Sequence, residues 1–397
     1  MYFDKNKILF RQKIEILPDV KDGHKMKKPI KVLQLSLSEN IGGVETLLRN
    51  LYKQFDHDDI QFDFVTTYNS PVYKDELESG GAKIYKLPSQ KRFISYRHAL
   101  KKLIKENDYH IIHINKNSSA DITPFIVGHE LKIPVVIAHA HNTKSSVGIL
   151  ADTGHLFNRN RMDKYMTKAF ASSEAAAEWM FSKEYCKNHD IPILKNGICI
   201  SDFSYNPEKR DEIRRRLSLG DKFVIGHVGK FSKRKNHGFL IDIFAEYHKK
   251  NPNSALMLVG TGPLMADIQN KVHELGLYDS VIFMGSQENI NEYYQAMDAF
   301  VLPSLAEEMP VVALEAQAAG LPVFVSDTVD HELEITDSVK WLSLEQPASI
   351  WADIILNVCD CFERKSQDEA IKRAGYDIAD TAAALSEVYH SIDNLED

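Results

Sequence analysis

Short, unbroken apolar runs alternate with amphipathic stretches from residue 30 almost to the C-terminus. Runs of this length without polar alternation fit strands buried on both faces of a parallel sheet. In the first half they cover residues 31–37, 62–67, 83–87, 111–115 and 134–139, with 169–172 after a helical stretch. Between them, residues 44–55, 96–107 and 119–131 repeat their apolar positions at helical spacing. The pattern then restarts. "FVIGHVGK" (223–230), "ALMLVGTGP" (255–263), "VIFMGS" (281–286), "AFVLPS" (299–304) and "PVFVSD" (322–327) are strands running into loops, separated by helices. The join falls in "NGICISDFSYNP" (196–207), which is polar, rich in turn residues and without helical period. The expected fold is therefore α/β, with two doubly wound Rossmann-like domains facing a cleft.

A chain of 397 residues exceeds one ordinary core, which agrees with two domains. The domains are expected at 30–200 and 206–375. Residues 1–29 form an N-terminal extension, because "MKKPIKVLQL" reads as a natural start and the preceding stretch is too charged for a signal peptide. Residues 376–397 form a C-terminal helix, expected to cross back to the first domain. The net charge of −8 argues against nucleic acid as a partner, since neutralising phosphates needs a basic footprint. The four cysteines form no CxxC and meet no histidine cluster at zinc spacing, so reduced thiols and a cytoplasmic location are expected. No apolar run approaches the roughly 18–20 residues of a membrane helix.

The chemistry lies where strands end. "GKFSKRKNHG" brings Lys230, Lys233, Arg234 and Lys235 just before a helix starting near Asn236. Cations and a helix N-terminus together suit a diphosphate, although a solvated basic loop would look the same. In "VGTGP", Gly260 and Gly262 allow a tight turn or a close ligand, but the full dinucleotide fingerprint is missing. "FMGS" could offer backbone amides to a base, or be a plain turn. In the first half, Gly42 and Gly43 of "SENIGGVET" leave a strand-to-helix loop without side chains, and "VVIAHAHNTKSS" ends a strand with His139 and His141. With 16 histidines in the chain, either could equally be core or surface.

"AEEMPVVALEAQAAGLPVFVSD" (306–327) carries two acids, Glu307 in a loop and Glu315 on a helix expected from 311 to 319, opened by Pro310 and closed by Gly320. A carboxylate can accept both hydroxyls of a sugar or ribose diol. The plainer alternative is that the acids favour a helix N-terminus and a surface.

Together, the Glu307/Glu315 pair, "VGTGP", "LPSLAEEMPVVALEAQAAGLPV" and "ILKNGI" (193–198) resemble the retaining GT-B glycosyltransferases of family 4, the glycosyl transferases group 1 type of bacterial exopolysaccharide and capsule synthesis. The resemblance covers roughly residues 30 to 385. It implies that Glu315 holds the ribose of a nucleotide sugar, Glu307 contacts the donor sugar, and Lys235 holds the diphosphate. It implies that His141 lies near the donor sugar's anomeric carbon and Gly42 and Gly43 beside the phosphates and acceptor. Asn196 and Gly197 match the turn leading into the hinge. Three positions depart from the pattern: Lys230 stands for Arg, Glu308 for Gly, and Cys199 for Asp or Val. Lysine lacks the planar fork of arginine, and Glu308 adds bulk and charge beside an anionic donor.

The implied reaction transfers a sugar from a nucleoside diphosphate to a hydroxyl with its anomeric configuration retained. No cofactor or metal is expected; the donor is expected to be a UDP-sugar rather than a GDP-sugar. The acceptor is a glycan or lipid-linked glycan. Two rivals stay open: a glycoside hydrolase using the two acids, and a weak or inactive GT-B-like protein that binds acceptor or a partner transferase. The basic stretch 89–107, with Phe93, Ile94, Tyr96, Leu100, Leu103 and Ile104 interleaved, suits peripheral contact with the inner membrane surface. An ordinary surface helix fits it as well.

Overall fold

The computed structural model describes residues 28–141, 149–307 and 309–391. The expectations for the extension before residue 28, for Glu308 and for the last six residues fall outside them. Among the described residues the apolar runs become two six-stranded parallel sheets. The first holds β1 (Ile30–Leu37), β2 (Ile60–Thr66), β3 (Ile84–Lys86), β4 (Ile111–Lys116), β5 (Val135–Ala140) and β6 (Lys168–Ala171), in the order β3-β2-β1-β4-β5-β6. The second holds β7 (Phe223–Val228), β8 (Ser254–Val259), β9 (Val281–Gly285), β10 (Ala299–Leu302), β11 (Val323–Ser326) and β12 (Val339–Leu342), in the order β12-β11-β10-β7-β8-β9. Counted within each domain, both orders are the same and reverse beside the domain's first strand. Loops leaving the strands on either side of that reversal diverge and open a crevice. The doubly wound class expected from the sequence is the one that forms.

Each expected strand is present. β12 was not expected: its four residues, VKWL, lie at the sheet edge with Lys340 exposed, too short and mixed to stand out. The helix expected from 119 begins later, at Thr123–Glu130, because the Asp121 carboxylate accepts the Thr123 N–H at 2.9 Å and holds the preceding residues in a loop. The helix carrying Glu315 spans Val311–Ala318, and Gly320 ends it at φ +70, where a side chain would be strained.

Packing passes from one sheet to the other within the join. Leu194 belongs to the first core; Ile198, Ile200 and Phe203 belong to the second. The join also contains a short helix, Ile200–Phe203, which its turn-rich composition did not suggest. The C-terminal helix Ile378–His390 returns to the first domain, burying Ala382, Leu385 and Tyr389 against Leu47, Leu51 and Phe62. Its start is pinned to the join: Ile378 N donates to Ile198 O at 3.0 Å, and Ile198 N donates to Tyr376 O at 2.9 Å. A Cβ on Gly197 would come 2.8 Å from Ile378 N, so the turn there is closed to larger residues.

Candidate functional site

Loops from both sheets line one cleft of about 2070 Å³. Gly42, Gly43 and His141 reach it from the first sheet; Lys230, Lys235, Gly260, Gly262, Glu307 and Glu315 reach it from the second. The loops involved include those leaving β1 and β4, and β7 and β10, the two strand-order reversals.

On the second-domain wall, Glu307 and Lys235 are paired, which the sequence could not show. Lys235 Nζ lies 2.7 Å from Glu307 Oε1, and Arg234 Nη1 lies 3.4 Å from Oε2. Ser304 Oγ donates to Oε1 at 3.1 Å. The Glu307 and Lys235 side chains are buried, whereas Arg234 is exposed. Burial lowers the Lys235 pKa, and the Glu307 charge opposes that shift. The two loops are also joined by Leu305 N donating to Arg234 O at 2.7 Å. Lys230 is exposed beside them.

The glycines of "VGTGP" answer to packing as well as to space. At Gly260, φ is +138 and a Cβ would lie 2.2 Å from Gly229 O; at Gly262 it would lie 2.5 Å from Phe231 O. These residues let the loop after β8 press against the loop after β7. Gly43 is different, since a Cβ there meets nothing within 4 Å. A Cβ at Gly42 would meet the Glu45 carboxylate at 2.7 Å. Both glycines line the cleft, Gly42 with an ordinary extended backbone at φ −141; of the two, open space surrounds Gly43 alone.

Glu315 is buried, and burial raises its pKa to about 8, the Tyr294 hydroxyl opposing. Tyr294 Oη lies 2.9 Å from both Glu315 Oε2 and Val312 O. The hydroxyl donates toward both, its one proton shared between the carboxylate and the carbonyl. Tyr294 escaped the sequence reading; a tyrosine 21 positions before the acid, on another helix, leaves no local signal.

His141 is buried on the opposite wall, with Nε2 2.9 Å from Asn115 Oδ1. Burial lowers its pKa to about 4, and the Asn196 side chain opposes the shift. β1 bulges beside it: Ser36 has φ +114, and its hydroxyl donates to Asn115 O at 2.8 Å. Bulges that strain a backbone next to a cleft commonly aim side chains.

The basic stretch 89–107 forms the helix Phe93–Asn107, but Tyr96, Leu100, Leu103 and Ile104 are spent on the first core. Arg97 and Lys101 pair with Glu130. Of its large apolar residues, Phe93 and Ile94 at the helix start stay exposed. Among the described residues no helix is long and apolar enough to cross a membrane.

Residues 209–372 match the family described as Glycosyl transferases group 1, and residues 41–201 match Glycosyltransferase Family 4. The chain is 31% identical over 370 residues to the putative glycosyltransferase EpsF of Bacillus subtilis, covering 91% of this chain and 96% of that one. It is 26% identical over 315 residues to the UDP-Gal:alpha-D-GlcNAc-diphosphoundecaprenol alpha-1,3-galactosyltransferase of Escherichia coli, covering 75% of this chain and 79% of that one. Among solved structures it resembles Anabaena Alr3699/HepE in complex with UDP and glucose, at a TM-score of 0.73 and 19% identity, covering 91% of this chain and all of that one.

Proposed function

The chain belongs to the glycosyl transferases group 1 family, the family 4 glycosyltransferases of GT-B fold, and on that premise we propose that it transfers a sugar from a UDP-sugar to a hydroxyl of a lipid-linked or polymer glycan, with retention. The observation that carries this reading is the convergence of the Lys235–Glu307 pair, Glu315, His141 and the open glycine loop on one interdomain cleft. A nucleoside diphosphate sugar needs a carboxylate for its ribose, cations for its phosphates and a second wall for its sugar.

Glu315 accepts the ribose hydroxyls. Lys235 and exposed Lys230 face the diphosphate, whose charge grows as the anomeric carbon–oxygen bond breaks. Glu307, held in place by Lys235, Arg234 and Ser304, receives hydroxyls of the donor sugar. Both acids have binding roles in this reading, which needs neither as a nucleophile. The acceptor oxygen forms the new bond on the face the leaving group vacates, and its proton passes to the departing phosphate oxygen. The name of the E. coli relative, with its UDP-galactose donor and diphosphoundecaprenol acceptor, supports a uridine donor and a lipid-linked acceptor. The cytoplasmic face of the inner membrane is where such a donor and acceptor would meet.

Thermal-shift and calorimetric titration with UDP-glucose, UDP-galactose, GDP-mannose and ADP-glucose tests the reading. Stabilisation by the UDP-sugars is expected, and Glu315→Ala should weaken UDP binding by about 1–3 kcal/mol. Unchanged UDP affinity in a folded Glu315→Ala protein would remove Glu315 from the nucleotide site.

A further inference from the structure

The first sheet carries polar side chains that nucleotide binding leaves unexplained. Gln34 on β1, His113 and Asn115 on β4 and His139 on β5 are at most 3% exposed. Burying such groups is costly unless they are paired. Here they form a circuit that begins at the C-terminal helix and ends at His141. Tyr389 Oη lies 2.8 Å from His113 Nδ1, and His113 Nε2 lies 3.2 Å from His139 Nδ1. Gln34 Nε2 reaches Tyr389 Oη at 3.4 Å; Asn115 Nδ2 donates to Gln34 Oε1 at 3.0 Å. Asn115 Oδ1 is 2.9 Å from His141 Nε2, and the His139 and His141 rings lie 4.1 Å apart.

The circuit has a direction. An amide oxygen only accepts, so His141 Nε2 carries the proton and Nδ1 keeps a lone pair. His141 Nδ1 is buried without a hydrogen bond of ordinary length among the described residues, on a side chain that lines the cleft beside Asn196, whose amide oxygen is likewise unpaired. On the other arm Gln34 donates to Tyr389, which leaves the Tyr389 hydroxyl proton for His113 Nδ1 and the His113 Nε2 proton for His139 Nδ1; His139 Nε2 stays buried without a partner among the described residues. Burial keeps all three histidines neutral, His113 at about 3 and His141 at about 4.

We propose that Asn115 and Tyr389 are positioning residues for His141: through this circuit the C-terminal helix sets which ring nitrogen His141 offers the cleft, an acceptor for a hydroxyl of the donor sugar. The inference rests on the reading of His141 as a donor-sugar contact. Because that helix is anchored to the interdomain join at Ile198, one element serves both the domain connection and the histidine.

The test uses the full chain with ¹⁵N-labelled histidine, His141 being assigned by its loss in His141→Gln. Long-range ¹H–¹⁵N spectra are expected to show His141 protonated on Nε2. Asn115→Leu and Tyr389→Phe should each give mixed tautomers at His141. Both should lower kcat for UDP-glucose by about tenfold with KM little changed, as small misplacements do. Tyr389→Phe keeps the buried ring, so its melting temperature should stay near the parent's. Asn115→Asp, whose carboxylate still accepts from Nε2–H, should restore tautomer and turnover. A parent His141 protonated on Nδ1, or an unchanged tautomer in both variants, overturns the proposal. So does lost turnover with the parent tautomer intact, because that marks a merely structural effect. If His141→Gln leaves UDP-glucose turnover unchanged, the donor-contact reading fails instead, and the tautomer spectra decide the circuit separately.

Discussion

Glu315 sits in the cleft wall with a tyrosine hydroxyl for a partner, and burial lifts its pKa to about 8. The unfolded chain titrates this carboxyl at its ordinary value, about 4.3. Between the two values the folded chain holds one proton more, so stability falls as pH rises. The contribution is complete below the ordinary value and is lost as pH passes through about 8. Glu315→Gln cannot ionise and escapes this loss. In thermal unfolding from pH 5 to 9, the parent's melting temperature is expected to fall progressively below the variant's. The same chemistry links binding to protons. A ribose diol held by the carboxylate form drives a proton off at neutral pH, so UDP affinity should strengthen from pH 6 to 9. Calorimetry in two buffers of different ionisation heat should find proton release in the parent and none in the variant. Equal pH profiles would mean that Glu315 is already ionised in the free protein.

At the scale of elements, the site is made by loops that leave parallel strands and press on one another. Gly260 is the tightest point, combining a left-handed φ with a Cβ position 2.2 Å from a neighbouring carbonyl oxygen. Gly260→Ala should cost about 2–4 kcal/mol of stability, from backbone strain and overpacking, and should abolish UDP binding. Gly43→Ala meets open space at the first turn of the helix Gly43–Gln54. Its stability should match or slightly exceed the parent's, while donor turnover falls because the methyl enters the cleft. Denaturant unfolding with UDP titration on both variants separates the two roles of glycine. A stable, UDP-binding Gly260→Ala protein would show that the two loops can part without loss.

At the scale of the molecule, the chain's last helix belongs by packing to its first domain. Ile378, Leu385 and Tyr389 are almost wholly buried there. Each such side chain contributes roughly 1.5–3 kcal/mol, against a whole-domain stability of about 5–15 kcal/mol. A chain ending at Asp377, which keeps Tyr376 in the second core, should therefore lose the first domain's cooperative unfolding and its resistance to limited proteolysis, with the second domain still protected. Unchanged protection of residues 30–194 would show that the helix is dispensable for that core.

The sequence alone determined the two doubly wound sheets, because strands buried on both faces must read as continuous apolar runs and helices must keep their period. It also singled out nine of the residues that line the cleft. Gly42, Gly43, His141, Lys230, Lys235, Gly260, Gly262, Glu307 and Glu315 all follow strand ends, and parallel strands deliver such loops to one edge. The edge strand Val339–Leu342 stayed illegible, since only its first and last residues are buried and Lys340 breaks the apolar run. Polar residues at alternate strand positions, His113 with Asn115 and His139 with His141, were a visible signal of a buried network, but nothing local names their partners. Only the tertiary structure decided that Lys235 meets Glu307, that Tyr294 meets Glu315, and that Tyr389 closes a circuit on His113. Those contacts join residues 21 to 276 positions apart, and hydrogen bonds act over about 3 Å. A linear pattern carries the period of an element, while the protonation state and aim of a side chain depend on whatever the fold brings within that distance.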